Sequence, residues 1–223
     1  MGIGPDSVNQ VTKIPEHVAI YRRMRDMILF GEMAPGQPAT IQGLTASIGA
    51  GMTPVREAIR RLTAEGALQS LGNRRICVPS LTLSTLDQIE YARLSIEPHI
   101  AALATSRATP EMIDELESID EVIDTAIKTG DIQSYLENNY RFHFRIYEQS
   151  GADVLQQLAL GMWLRMGPSL RVICARYGAS NLPDQHDVTI DALRRGDKKA
   201  VSAALAADIR QGVAHIRMSL TEA

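Results

Sequence analysis

Arg56 and Arg60 stand four residues apart between Gly51 and Gly66, the spacing that puts two side chains on one face of a helix. Two guanidiniums held one turn apart are suited to the phosphate oxygens of a nucleic acid, and a guanidinium can also read the acceptor edge of guanine. The element needed to hold them is written into the same run. Val55, Ala58, Ile59 and Leu62 recur at i, i+3, i+4 and i+7 and predict one buried stripe. Thr53 is the expected helix cap, Pro54 the first helical position and Gly66 the stop. An ordinary amphipathic helix with a solvated Arg pair has the same spacing, so the surrounding chain must decide.

Upstream, Val18, Ile20, Tyr21, Met24, Met27 and Ile28 follow helical spacing from Glu16 to Phe30, where Gly31 closes the segment. Thr40 is placed to cap a second helix through Ile48, and Gly49 to Gly51 form the tight turn before the Arg-bearing helix. Downstream, Ala67 to Leu71 and Arg74 to Val78 predict two strands about a Gly72-Asn73 turn. Helix, turn, helix and hairpin make a winged helix-turn-helix over residues 16–79, preceded by a loose arm at 1–15. The hairpin tip offers Asn73, Arg74 and Arg75 to backbone or minor groove.

Charge divides along the same line. Residues 1–79 hold nine Lys and Arg against six Asp and Glu, whereas the remainder holds fourteen against twenty. A basic smaller unit joined to an acidic larger one suits a nucleic-acid module attached to a sensing or assembly module. No apolar run approaches the roughly 20 residues that span a bilayer, and Met1 to Lys13 lack the apolar core of a signal peptide. These features predict a cytoplasmic protein with no membrane partner. Cys77 and Cys174 lie far apart without metal-like spacing and predict reduced thiols.

After a linker at 80–84, residues 85–223 show six helical patterns and no strand. They run from Thr85 to Arg107, Pro110 to Thr129, Ile132 to Ser150, Ala152 to Arg176, Leu182 to Arg195 and Lys198 to Leu220. Breaks fall at Thr109-Pro110, Gly130-Asp131, Gly151, Gly178 to Pro183, and Gly196-Asp197. The expected fold class is therefore mainly α, a winged helix-turn-helix followed by an all-α bundle.

Thr53 to Ala58, with Leu62 and Gly66, resembles the recognition-helix motif of the GntR family of bacterial regulators. The resemblance extends over 16–79 and implies DNA contacts by Thr53, Arg56, Arg60, Gln42, Asn73, Arg74 and Arg75. The chain departs from the pattern at Gly51-Met52, where a serine and an arginine are usual, at Ile41-Gln42 in place of Glu-Arg, and at Arg75 in place of a wing glycine. Met52 cannot donate paired hydrogen bonds to guanine, so the resemblance carries DNA binding without a family operator sequence.

Arg93 to Glu97, Ala101 to Ala104, Asn139 to His143, Gln185-His186, Ala192 and Gly196-Asp197 resemble the FCD effector domain of the FadR branch, in a six-helix, VanR-like form. That resemblance implies an antiparallel bundle around a cavity that holds a small carboxylate effector and a divalent metal such as zinc, nickel or manganese. The family ligand places fall on Asn139, His143, His186 and Asp208. Two keep the family residue, while Asn139 and Asp208 replace an aspartate and a histidine. Asn139 and His143 share a helix face. His215 is a substitute ligand on roughly the face of Asp208, though about 10 Å of helical rise separates them. Spacing alone reads Arg93 and Glu97 as an exposed ion pair, whereas the family turns the arginine toward the effector. Arg165, Arg171 and Arg176 are further effector candidates, and Trp163 with Tyr140 is read as core. The combined expectation is a DNA-binding regulator, a repressor and homodimer acting on operator DNA, and not an enzyme. The alternative is a metal-dependent hydrolase or lyase using His143, His186 and Asp208, for which no positioned nucleophile or general base can be named.

Overall fold

The computed structural model describes residues 14–177 and 185–221. Nine helices form among them: α1 (Glu16–Leu29), α2 (Ile41–Ile48), α3 (Met52–Ala64), α4 (Leu83–Thr105), α5 (Pro110–Thr129), α6 (Ile132–Ser150), α7 (Asp153–Tyr177), α8 (Gln185–Arg194) and α9 (Lys198–Thr221). Strands β1 (Ala39–Thr40), β2 (Gln69–Gly72) and β3 (Arg75–Cys77) form an antiparallel sheet in the order β1-β3-β2. The arm expected at 1–15 lies outside the described residues up to position 13, as does the break expected at Gly178 to Pro183.

The α3 stripe is buried as its spacing predicts, with Val55 and Leu62 at 0 % exposure. It packs on α1, which buries Tyr21, Met24 and Ile28. Thr40 caps α2, its hydroxyl accepting the Gly43 amide at 3.0 Å. Three local expectations are corrected. Helix α3 starts two residues earlier than predicted, with Gly51 at its cap and no side-chain cap bond. Thr53 therefore lies in the first turn, where the missing N–H of Pro54 costs no ladder bond. The hairpin turns at Asn73-Arg74, both at positive φ (48° and 58°), rather than at Gly72-Asn73. Two adjacent left-handed residues match the twist of a tight hairpin. The third correction is β1, which adds a strand beside β3 with Thr40 opposite Arg75. Two residues are too short to show a period of two in the sequence.

In the larger helical group α4 packs against α9, α6 and α7, while α5 packs on α6 and α8. The breaks have local causes. Thr109 accepts the Met112 amide ahead of Pro110 at the start of α5, and Asp131 accepts the Ser134 amide at the start of α6. Helix α7 also crosses to the first group and packs on α1. Apolar residues ring it on several sides, so its sequence did not reveal which face meets which neighbour.

Candidate functional sites: a cationic helix face and a buried His-His-Asp cluster

Arg56 and Arg60 are exposed and make no ion pair among the described residues. Their neighbour Arg61 differs: it pairs with Glu65 at 2.9 Å and its guanidinium lies 3.7 Å from the Tyr21 ring centroid. The helix thus keeps one arginine for its own packing and turns two outward. Thr53, Gln42, Asn73, Arg74 and Arg75 are exposed as well.

Three elements converge on a second, interior site. His143 on α6, His186 on α8 and Asp208 on α9 each offer one ligand atom, and these atoms lie within 4.8 Å of one another. His143 Nε2 is 3.2 Å from Asp208 Oδ2. His143 is 1 % exposed and His186 8 %, so the imidazoles are withheld from water while the Asp208 side chain keeps 27 % exposure. Burial pushes the His143 imidazole below its ordinary range, against the opposing hydrogen bond that it donates to Asp208. Burial alone would raise the Asp208 carboxyl; the hydrogen bond from His143 and the positive charge that His143, His186 and Arg93 can present outweigh it and bring it down to about 2. A neutral imidazole beside an ionised carboxylate is the protonation state that metal ligation requires.

The far edge of each ring is held. Asp120 Oδ1 lies 2.8 Å from His186 Nδ1, and Phe142 stacks on the same ring at 4.0 Å. His143 Nδ1 is 3.4 Å from the Tyr147 hydroxyl, which donates to Glu97 Oε2 at 2.6 Å. In the tautomer with Nδ1 donating outward, Nε2 is the atom left to ligate a metal; for His143 that tautomer replaces the one whose Nε2–H donates to Asp208. Two imidazoles and a carboxylate, each imidazole oriented from behind, fit a divalent ion of the zinc, nickel or manganese kind. Asn139 is half-buried one turn before His143 and shares no hydrogen bond with the three; His215 stands outside the cluster. The outer-shell contact has a measurable consequence. Asp120→Asn removes the anionic partner of His186 and should weaken metal affinity about 10–100-fold, with the helical circular dichroism unchanged; unaltered affinity would leave Asp120 a packing residue only.

Arg93 is 2 % exposed and Glu97 0 %, which corrects the reading of a surface pair. Arg93 Nε and Nη2 donate to both Glu97 oxygens at 2.7 and 2.8 Å, and Nη1 faces Met166 Sδ at 3.3 Å. Trp163 Nε1 donates to Glu97 at 3.3 Å, its ring lying 4.7 Å from the Arg93 guanidinium and 5.0 Å from His143. Trp163 is core, as read, and also a wall of the cluster. Arg165 and Arg171, the further effector candidates, both turn away from the cluster. Arg165 Nη2 donates to the Glu65 carbonyl at 3.2 Å, and Arg171 Nη1 to the Phe30 carbonyl at 3.3 Å and to Gln133 at 2.7 Å. The side chain of Arg176 lies outside the described residues.

Residues 17–78 match the family model for bacterial regulatory proteins of the gntR family, and residues 88–211, more than half of the chain, match the FCD domain. This chain belongs to the GntR family, in its FCD-bearing form. The HTH-type transcriptional regulator McbR of Escherichia coli K12 is 28 % identical over 194 residues, 86 % of this chain and 88 % of that one. The solved E. coli McbR/YncC structure superposes with a TM-score of 0.87, 26 % identity, and coverage of 93 % of this chain and 99 % of that one. A probable D-xylose utilization operon transcriptional repressor of Paenarthrobacter nicotinovorans is 27 % identical over 195 residues, 82 % of each chain. This GntR chain is accordingly a DNA-binding transcriptional regulator and not an enzyme, and the hydrolase alternative finds no support among these relatives. No helix among the described residues is long and apolar enough to cross a membrane.

Sequence reasoning passed over Asp120, Tyr147 and Glu97 as parts of the GntR protein's cluster. Glu97 and Tyr147 had a usable signal, since each stands four residues from a named candidate, Arg93 and His143. Asp120 had none: 66 residues separate it from His186, and one acidic residue among many on α5 is not distinguishable by type.

Proposed function

We propose that the protein is a cytoplasmic repressor that binds a short pseudo-palindromic operator as a homodimer and responds to a small carboxylate held with a divalent metal. Two functional units divide the work, residues 16–79 on DNA and 85–223 on effector and pairing. The observation that carries the reading is the buried, ring-oriented grouping of His143, His186 and Asp208 in a regulator that has no reaction to perform with it. A bound divalent ion supplies there a fixed positive charge for an acid to meet. Arg93 is already matched by Glu97, so a carboxylate reaches that guanidinium only by displacing Glu97. Asn139, one turn from His143, is the neutral donor in reserve.

At the other end Arg56 and Arg60 enter the major groove with Thr53, Gln42 lies beside them, and Asn73, Arg74 and Arg75 on the wing meet backbone or minor groove. Arg56→Ala should weaken operator binding while leaving metal content and pairing intact, since the side chain is exposed. If Arg56 reads a guanine, discrimination falls by about 1–3 kcal/mol at one base pair; if it meets a phosphate, affinity falls on every sequence and the salt slope drops by about one. Affinity equal to wild type across a salt series would remove it from the interface.

Pairing is supported by large apolar side chains left in water on neighbouring helices, Tyr91 and Leu103 on α4 and Val154 and Leu158 on α7. Sedimentation of the full chain at micromolar concentration should report a dimer. A monomer would leave DNA as the only agent that brings two heads together.

A further inference from the structure

Helix α7 reaches both the His143 cluster and the DNA-binding group, and two of its hydrogen bonds to that group fall on helix ends. Trp163 walls the His143 cluster, and two residues later Arg165 donates to the carbonyl of Glu65, the C-cap of the Arg56-bearing helix α3. Arg171 donates to the carbonyl of Phe30, the C-cap of α1. These carbonyls are among the last of their helices, lack an onward partner in the helix and carry its partial negative charge. Between the two arginines, Gly167 lies so close to α1 that a Cβ there would sit 2.5 Å from the Leu29 carbonyl oxygen. A parallel line of rings joins the same ends: Phe30 lies 5.9 Å from Tyr140, Tyr140 5.7 Å from Trp163, and Trp163 5.0 Å from His143.

We propose that α7 couples the pocket to DNA: Arg165, Gly167 and Arg171 clamp the C-terminal ends of α3 and α1 to the helix whose Trp163 walls the His143 cluster. A ligand that displaces Trp163 then shifts the seat of the recognition helix. A close-packed seam moves as a unit rather than deforming gradually, and the coupling is reciprocal, so DNA-side changes are felt at Trp163. The pocket half of this inference rests on the metal reading above, whereas the reciprocal half does not.

The test uses the full chain with zinc alone as probe and backbone hydrogen exchange as readout. In the wild type, zinc should slow exchange around His143 and His186. It should also change exchange several-fold at the helix-end amides of residues 28–33 and 62–68, which include Phe30, Gly31, Gly66 and Ala67. In the Arg165→Gln/Arg171→Gln variant the first effect stays and the second disappears. Gly167→Ala keeps α7 helical, wedges the seam against backbone, and should raise exchange at 28–33 before any zinc is added. Zinc protection confined to the pocket in wild type, or undiminished transmission in the double variant, overturns the proposal. A separate arm needs no metal. Trp163 is the one tryptophan in the chain, so its emission should shift in Phe30→Ala and in Gly167→Ala. If zinc does not bind, the metal reading fails and this arm decides alone: unchanged emission in both variants overturns the coupling.

Discussion

His143→Ala and Asp208→Ala should each leave the protein without stoichiometric divalent metal after incubation with zinc, nickel or manganese and dialysis at neutral pH. Each removes one of the three groups whose ligand atoms converge within 4.8 Å. The loss from Asp208→Ala should exceed that from Asn139→Ala, since an anionic ligand attracts a dication more strongly than a neutral amide and Asn139 shares no hydrogen bond with the cluster. His186→Ala should match His143→Ala, while His215→Ala should retain metal. The pH dependence has a definite sign. A metal competes with protons for imidazole, and burial already holds His143 below its ordinary value of about 6.5. Binding should therefore be full at neutral pH and weaken only as pH falls below the ordinary imidazole range. A wild type carrying no metal under any of these conditions would show that His143 and His186 hydrogen-bond the effector directly instead.

The second large effect is on stability. Glu97→Ala leaves the Arg93 guanidinium, 2 % exposed, without its carboxylate, and strips the Tyr147 hydroxyl and the Trp163 N–H of their acceptor. Breaking one side of a buried pair costs about 3–5 kcal/mol, which in a chain of this size lowers Tm by roughly 10 °C. Arg93→Met together with Glu97→Leu should recover most of that loss, because an apolar pair of similar volume carries no desolvation penalty. Recovery should be incomplete, since Tyr147 and Trp163 stay unpartnered. Urea denaturation that places Glu97→Ala within 1 kcal/mol of wild type would mean that water reaches Arg93 when the carboxylate is gone, and that the pair is not sealed in solution.

What the sequence determined by itself was local. The α3 stripe, the Thr40 and Thr109 caps and the breaks at Gly130 and Gly151 follow from backbone chemistry acting within a few residues, and the helix limits in the larger group agree with expectation to within about three residues wherever they are described. The GntR and FCD motifs were short and contiguous enough to read, and they brought His143, His186 and Asp208 together on paper across three helices. Tertiary structure alone decided which way the long polar side chains turn. Arg93 lies four residues from Glu97 whether that face meets water or core, and the packing of α4 against α6, α7 and α9 made it core. Arg165 and Arg171 lie on a helix apolar on several sides, where periodicity defines no inward face, and the close approach of Gly167 to Leu29 turned them to the DNA-binding group. Asp120 became the partner of His186 only when α5 docked on α8. Spacing along one helix fixes an angle about its own axis, whereas the partner that waits at that angle is set by how separate helices pack.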